Sequence, residues 1–245
     1  MSEQGSTPSL SRGQVWRYCL VQTLPIASGY LFLGMAFGIY MTEAGWHPVW
    51  VMATSLFVYA GSLQFALVAL LVSGASLATV ALMALFINAR HLFYGIGFIE
   101  PFRKMGWKYP YMVFALTDET YSLLCSAPAP AGVDRREVYF RISVLDHGYW
   151  LCGSLAGVLL GQAVPMDFAG IEFSMTALFV VIFLDQWKHY RSHLPALAGL
   201  GFGVLFLFLL GRDAFLLPAL GSTVALLMLL RQRIVAAEKS GVAHG

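Results

Sequence analysis

The chain has 245 residues, of which 58% are AVILMFWYC and 11% are charged, with a net charge of +2 at pH 7. Soluble domains carry roughly 45–50% apolar residues with glycine counted, and about 25% charged ones, so this chain lacks the charge to cover a water-facing surface. Its 14% aromatic content opposes disorder, its small, scattered charge excludes nucleic acid as a partner, and what is left is an integral membrane protein solvated by a lipid bilayer.

A polar tail, residues 1–22, comes first. It holds Arg12 and Arg17 and only short apolar stretches. It does not read as a cleavable signal, so the first hydrophobic helix is expected to be an uncleaved anchor. Eight hydrophobic segments follow, at 23–42, 49–72, 76–98, 109–126, 142–161, 172–187, 195–211 and 214–230. A helix needs about 20 apolar residues to cross about 30 Å of hydrocarbon. Most segments reach that length, but the fourth carries Asp118 and Glu119 at its centre and the sixth is short. The expected fold is an all-α membrane protein with seven or eight spans. Breakers fall between the segments, as at His47-Pro48, Ser73 to Ser76, Pro101 to Pro110 and Ala127 to Pro130,.

The sequence also repeats itself. Gly29-Tyr30, Gly34 and Gly38 recur as Gly148-Tyr149, Gly153 and Gly157, an offset of 119. Thr54, Leu56-Phe57-Val58 and Gln64-Phe65 recur as Thr176, Leu178-Phe179-Val180 and Gln186-Trp187, an offset of 122. Two matches in the same order imply a duplication: a first repeat at 23–126, a linker at 127–141, a second repeat at 142–230 and a polar tail at 231–245. Secondary transporters commonly place their substrate site between such repeats. The glycine ladders themselves are expected to be helix-contact faces.

Topology stays open at this level. With the amino terminus inside and all segments crossing, ten Lys/Arg lie inside and four outside. With the amino terminus outside and segment 4 re-entrant, the count is eleven inside and three outside. The positive-inside rule does not separate these. The first makes the halves parallel, the second makes them inverted, and both put the carboxyl terminus in the cytoplasm.

Ionisable residues deep in a hydrophobic segment cost roughly 2.5–3.5 kcal/mol each on insertion scales, which makes them functional candidates. In segment 3, Asn88, Arg90, His91 and Tyr94 stand together. Arg90 lies about 12 Å from the end of a continuous helix, so it faces an internal partner or substrate anion, or else bonds helix-end carbonyls. His91 is either a proton relay or a hydrogen-bonded packing residue. In segment 4, Asp118 and Glu119 are neighbours and project about 100° apart, so they are not one paired acid site. One of them is a candidate for proton coupling; the alternative is a helix-terminus cap formed by Thr117 or Asp118. In segment 2, Tyr59 and Gln64 flank Gly61-Ser62, a stretch that suits close helix packing or an unwound turn. Asp146-His147 and Asp185 sit near segment ends, where interfacial solvation is expected. Cys19, Cys125 and Cys152 show no metal or disulfide spacing and read as small packing residues. No cofactor or metal is expected.

At these residues the chain resembles the AzlC family, the large subunit of branched-chain amino-acid exporters. The resemblance rests on Leu24-Pro25 leading into Gly34 and Gly38, YAGSLQF at 59–65, NARHLFYG at 88–95 and LTDE at 116–119. It covers about residues 20 to 125 closely and the second half loosely. Leu63 and Phe93 depart from the family's usual residues. The resemblance implies export of leucine, isoleucine, valine or similar amino acids across the cytoplasmic (inner) membrane. It also implies a small AzlD-like membrane partner and coupling to an ion gradient, with protons a candidate ion.

The residues themselves fit a zwitterion. Arg90 or a broken-helix N-terminus suits its carboxylate; Asp118, Glu119, Tyr59 and Tyr94 suit its ammonium. Two rivals stand beside the transporter. One is a membrane-embedded enzyme using Asp118, Glu119 and His91, against which stands the lack of HExxH, GxSxG, P-loop and dinucleotide motifs. The other is a scaffold whose partner carries the transport site.

Overall fold

The computed structural model describes residues 11–163, 193–211 and 215–230, together with positions 180, 183, 184 and 187. Among them every regular element is helical. Helix α1 (Arg12–Glu43) is followed by α2 (Pro48–Phe57), α3 (Gly61–Val72), α4 (Leu77–Gly95), α5 (Ile99–Arg103), α6 (Tyr109–Phe114), α7 (Asp118–Ser126) and α8 (Arg135–Ala163). Helices α9 (Leu194–Leu210) and α10 (Leu216–Leu229) complete the described chain. By packing, the chain forms two units: Met1–Ala75 with Ile87–Phe168, and Ser76–Phe86 with Ala169–Gly245.

In the first unit, α1 starts at a capping box: Ser11 accepts from the Gln14 N–H, and the Gln14 side chain accepts from the Ser11 N–H,. Its 32 residues extend about 48 Å. It is the one helix, among the described residues, that is long and apolar enough to cross a membrane by length and composition.

Helices α1 and α8 run parallel, and their glycine ladders face each other. A Cβ on Gly34 would lie 2.8 Å from the Trp150 carbonyl oxygen, and one on Gly153 would lie 2.7 Å from the Leu31 carbonyl oxygen. Gly38 meets the Ser154 carbonyl, and Gly157 meets that of Met35. Contact therefore advances along both helices in the same direction. The expectation that the ladders are helix-contact faces holds, and each ladder is the other's partner.

Segment 2 does not form one helix. Gln64 Nε2 donates to Ser55 Oγ at 3.3 Å, although nine residues of continuous helix would separate them by about 13.5 Å. The chain turns back at Val58–Ala60, and α2 and α3 lie antiparallel. Phe65 of α3 reaches Phe37 (ring centroids 5.8 Å) and Tyr40 (6.4 Å) of α1. This hairpin therefore opens toward the carboxyl-terminal end of α1.

Segment 4 folds back in the same way at Ala115–Thr117. Tyr111 of α6 packs on His147, with ring centroids 6.1 Å apart, while Thr120 of α7 bonds the adjacent Asp146 at 2.8 Å. The second hairpin opens toward the opposite end, where α1 and α8 begin. There Lys108 pairs with Glu137 at 2.8 Å, Arg136 donates to the Lys104 carbonyl at 3.0 Å, and Arg141 donates to the Arg12 carbonyl at 2.9 Å. The Tyr18 hydroxyl donates to the Pro128 carbonyl. Beneath these bonds lies a core that includes Cys19, Phe102, Met112, Leu124 and Ile142.

Other details shift. Segment 5 starts seven residues earlier than hydropathy places it, since α8 begins at Arg135; charged residues in its first turns had masked the start. Cys19 is buried, but Cys125 and Cys152 are exposed, so only the first is a packing residue within this chain. Most of segment 6, and Asp185, lie outside the described residues. In the second unit α9 has no buried residue, and Phe208 on it is 85% exposed.

Candidate functional site

The tips of the two hairpins meet between α1 and α8. Tyr59 adopts φ 41°, the only positive φ outside glycine among the described residues. An L-residue pays roughly 1–2 kcal/mol for that conformation, and a bulky aromatic there marks a site that its surroundings over-determine. Those surroundings are the His147 ring, 4.2 Å away between centroids, Phe114 at 5.9 Å and Tyr30 at 6.4 Å. Behind the turn, the α3 N-terminus carries no side-chain cap. Gly61 lets the turn approach Trp150 closely, since a Cβ there would lie 3.2 Å from the indole ring.

At the second tip, Thr117 caps α7 by accepting from the Thr120 N–H at 3.3 Å, so the capping role foreseen for it is present. The Tyr30 hydroxyl lies 2.6 Å from Thr117 Oγ1 and 2.8 Å from Glu119 Oε2. From α8, His147 Nε2 bonds the Ser55 carbonyl at 3.3 Å, which leaves Nδ1 as acceptor for the Tyr111 hydroxyl at 3.4 Å. Ser55 in turn donates to Ser154 at 2.8 Å.

Within this ring of bonds, several buried polar atoms have no hydrogen-bond partner: Tyr59 Oη, Gln64 Oε1, Ser143 Oγ, Asp146 Oδ1 and Trp150 Nε1. Their residues are at most 7% exposed. An unpaired buried polar group costs about 1–3 kcal/mol, so their concentration at the paired breaks calls for a guest that bonds them. Apolar walls stand alongside: Trp150 stacks on Phe37 at 6.3 Å and meets Tyr30 edge-on at 5.6 Å. Donors, acceptors and aromatic faces are thus assembled where a small zwitterion with an aliphatic side chain could be bound.

Of the residues singled out from sequence, Tyr59, Gln64 and Glu119 converge here. Gln64 is fully buried and Glu119 is exposed. Asp118 is half-buried in the first turn of α7, so the two carboxylates diverge as their 100° spacing requires. On α4, the His91 Nδ1 lies 3.1 Å from the Asn88 carbonyl oxygen, and Asn88 Oδ1 is another buried atom without a hydrogen-bond partner. The side chains of Arg90 and Tyr94 lie outside the described set.

Sequence reasoning set Asp146 and His147 aside as interfacial, and the structure reverses this: they are 0% and 6% exposed. Asp146 is eleven residues into α8, about 16 Å from its start, so it lies deep rather than at an end. Tyr30 and Thr120 were missed as well. The Gly-Tyr pair beside the first ladder, and the threonines flanking Asp118-Glu119, were the available signals.

A separate cavity of about 640 Å³ opens at the basic end, lined in part by Arg12, Trp16, Lys108, Glu137 and Arg141. Two of its cations are engaged, since Lys108 and Arg141 lie 2.8 and 3.6 Å from Glu137. The Lys108 hydrogen bond holds the Glu137 carboxyl below its usual range. None of the unpaired buried atoms found among the described residues belongs to its lining. The hairpin tips are the stronger site.

Other proteins are similar to this chain over most of its length. The chain is 37% identical over 232 residues to the branched-chain amino acid transport protein AzlC of Bacillus subtilis, covering 94% of this chain and 91% of that one. An uncharacterized membrane protein of Helicobacter pylori is 40% identical over 212 residues, covering 86% and 93%. One of Haemophilus influenzae is 38% identical over 217 residues, covering 88% of each. No solved structure matches. The family model described as AzlC protein matches residues 25–164, a span that takes in the latter part of α1, both hairpins and α8, and with these relatives it places the chain in the AzlC family.

Proposed function

We propose that this chain is the large membrane subunit of a secondary transporter that exports leucine, isoleucine, valine or similar amino acids across the cytoplasmic membrane. The observation that carries the reading is the meeting of two broken helices at buried polar atoms that lack partners. Broken helices lining a mid-depth cavity are how many transporters bind small solutes. The substrate class is that of the Bacillus subtilis relative, a branched-chain amino acid transport protein. In this reading the uncapped α3 N-terminus, with Arg90 as countercharge, takes the carboxylate. Gln64 Oε1, Tyr59 and the half-buried Asp118 serve the ammonium, and Phe37, Phe114 and Trp150 enclose the aliphatic chain. A small AzlD-like membrane protein covers part of the exposed apolar surface, and alternating access runs between two related halves, driven by an ion gradient.

The hairpins refine the topology. Helices α2 and α3, of 10 and 12 residues, each reach about half of a 30 Å bilayer, so segments 2 and 4 dip in from opposite faces. Arg12, Arg17, Arg103, Lys104, Lys108, Arg135, Arg136 and Arg141 then share one face, while the connections at 44–47 and 73–76 carry no Lys or Arg. That asymmetry supports an amino terminus in the cytoplasm. With segment 6 crossing, the carboxyl terminus is cytoplasmic too. Accessibility tests this: in a chain freed of its native cysteines, a cysteine at Met105 is expected to react only from the cytoplasmic side. One at Gly45 should react only from outside. The reverse pattern overturns the orientation.

Transport itself is tested by loading cells with leucine-, isoleucine- or valine-containing dipeptides and following efflux of the free amino acid. Deleting this chain should slow efflux; unchanged efflux rejects the reading. Arg90→Ala and Asp118→Asn are expected to abolish efflux with membrane insertion intact, and a wild-type rate in either variant removes that residue from the mechanism.

A further inference from the structure

Four short oxygen–oxygen contacts join two carboxyl groups across the hairpin tip. Glu119 Oε2 lies 2.8 Å from Tyr30 Oη, Tyr30 Oη 2.6 Å from Thr117 Oγ1, Thr117 Oγ1 3.1 Å from Thr120 Oγ1, and Thr120 Oγ1 2.8 Å from Asp146 Oδ2. One end lies at the surface of the chain and the other inside it: Glu119 is exposed, whereas Tyr30, Thr117, Thr120 and Asp146 are 5%, 7%, 0% and 0% exposed.

A count of hydrogens decides what the chain holds. Three hydroxyls supply three protons, and four contacts need four. With both carboxylates ionised, Tyr30 donates to Glu119, Thr117 donates to Thr120 and Thr120 donates to Asp146. Thr117 can turn from Thr120 to Tyr30 to make the 2.6 Å contact, but the 3.1 Å Thr117–Thr120 link is then left without a proton. One acidic proton on the carboxyl pair completes it.

We propose that Glu119, Tyr30, Thr117, Thr120 and Asp146 form a proton wire that couples transport to the proton gradient, a proposal that rests on the transporter reading above. In one state the Glu119 carboxyl donates to Tyr30, Tyr30 to Thr117, Thr117 to Thr120 and Thr120 to the Asp146 carboxylate. In the other, every O–H···O link is reversed: Asp146 holds the proton and Glu119 is ionised. Passing between the states moves one proton along each link in turn. Each hydroxyl gives up one proton and receives one, so no charge is left on it and no other reactant is consumed.

The buried end has a free contact as well. Asp146 Oδ1 has no hydrogen-bond partner, and no Lys or Arg side chain pairs with Asp146 among the described residues. The protonation state of Asp146 is therefore open to whatever guest enters beside Tyr59 and Trp150. Around the wire, the titratable groups are Tyr59 at the first break, Tyr111 on α6, Asp118 on α7 and His147 on α8. Tyr111 and His147 are engaged with each other, while Tyr59 Oη is unbonded; none of the four interrupts the path.

The test uses membrane vesicles from cells producing the full chain together with its small membrane partner, and radiolabelled leucine, read in two modes. Accumulation driven by an imposed pH gradient needs the wire; exchange of labelled for unlabelled leucine, with no net proton movement, does not. Tyr30→Phe and Thr120→Val each remove one hydroxyl, and each should lower gradient-driven accumulation by about 100-fold, the scale of losing a positioned proton-transfer group. Exchange should continue in Thr120→Val, a residue that lines no part of the proposed binding site, and Thr120→Ser should restore accumulation. The wire is overturned if either hydroxyl-deleted variant keeps gradient-driven accumulation, or if exchange in Thr120→Val falls as far as accumulation, since that reports a structural role. Wild-type exchange with indifference to the pH gradient also overturns the wire and leaves the transporter reading standing. Absence of wild-type exchange rejects the transporter reading itself.

Discussion

Gly157→Leu is expected to leave no folded α1–α8 pair. The position where a side chain would start is occupied by the Met35 backbone carbonyl, with Gly38 Cα 3.0 Å away. Backbone atoms cannot rotate aside as a side chain can, so the two helices must separate. Overpacking of a flexible core costs about 1–3 kcal/mol. Here separation also uncouples the neighbouring Gly34, Gly38 and Gly153 contacts, a loss comparable to the roughly 5–15 kcal/mol that stabilises a whole domain. Gly38→Leu should behave alike. Gly29→Leu and Gly148→Leu supply the control, because a Cβ at either meets nothing within 4 Å. Yield and thermal unfolding of the detergent-solubilised chain check the pattern. A monodisperse Gly157→Leu protein with an unchanged midpoint would refute the packing.

The second large effect separates stability from binding. Tyr59→Phe combined with Gln64→Met removes Tyr59 Oη and Gln64 Oε1, which have no hydrogen-bond partner within the chain. Deleting such atoms does not weaken the fold, since their desolvation is uncompensated. Gln64 also gives up its bond to Ser55, but Ser55 still donates to Ser154 at 2.8 Å. Thermal stability should therefore hold or rise. If a zwitterion bonds both atoms, each lost bond is worth about 1.5 kcal/mol and the pair lowers leucine affinity about 100-fold. Binding measured by isothermal calorimetry, alongside the unfolding midpoint, gives the answer. Unchanged affinity removes the unpaired atoms from the site; lowered stability with lowered affinity marks them as structural.

Much of the candidate site was legible beforehand. Tyr59, Gln64 and Glu119 stood out because polar groups inside apolar stretches need a reason, and all three lie at the hairpin tips. Asp146 and His147 were passed over because the hydrophobic window opened only four residues before them. Arg135, Arg136, Glu137 and Arg141 dilute the hydropathy of the first turns of α8 without ending the helix. An averaged window reads that dilution as a boundary.

The hairpins were illegible for a related reason. The ten residues of α2 and the twelve of α3 together read as one crossing helix, because a hydropathy sum carries no direction. The turn residue gives no warning either: Tyr59 is not a glycine, and its positive φ is enforced by the rings of His147, Phe114 and Tyr30, which are remote in sequence. Thr117 was the readable half of the second break, since a cap can be recognised locally.

By itself the sequence determined the all-helical, apolar character of the chain, its family likeness, and the two glycine ladders as contact faces. Each follows from composition or from short-range spacing. The tertiary structure decided that the ladders lock onto each other and that segments 2 and 4 fold back from opposite ends. It also decided that Asp146 is a buried terminus of a hydrogen-bonded chain. Those facts depend on atoms brought together from positions 30, 59, 117 and 146, and no local pattern encodes a distance across the fold.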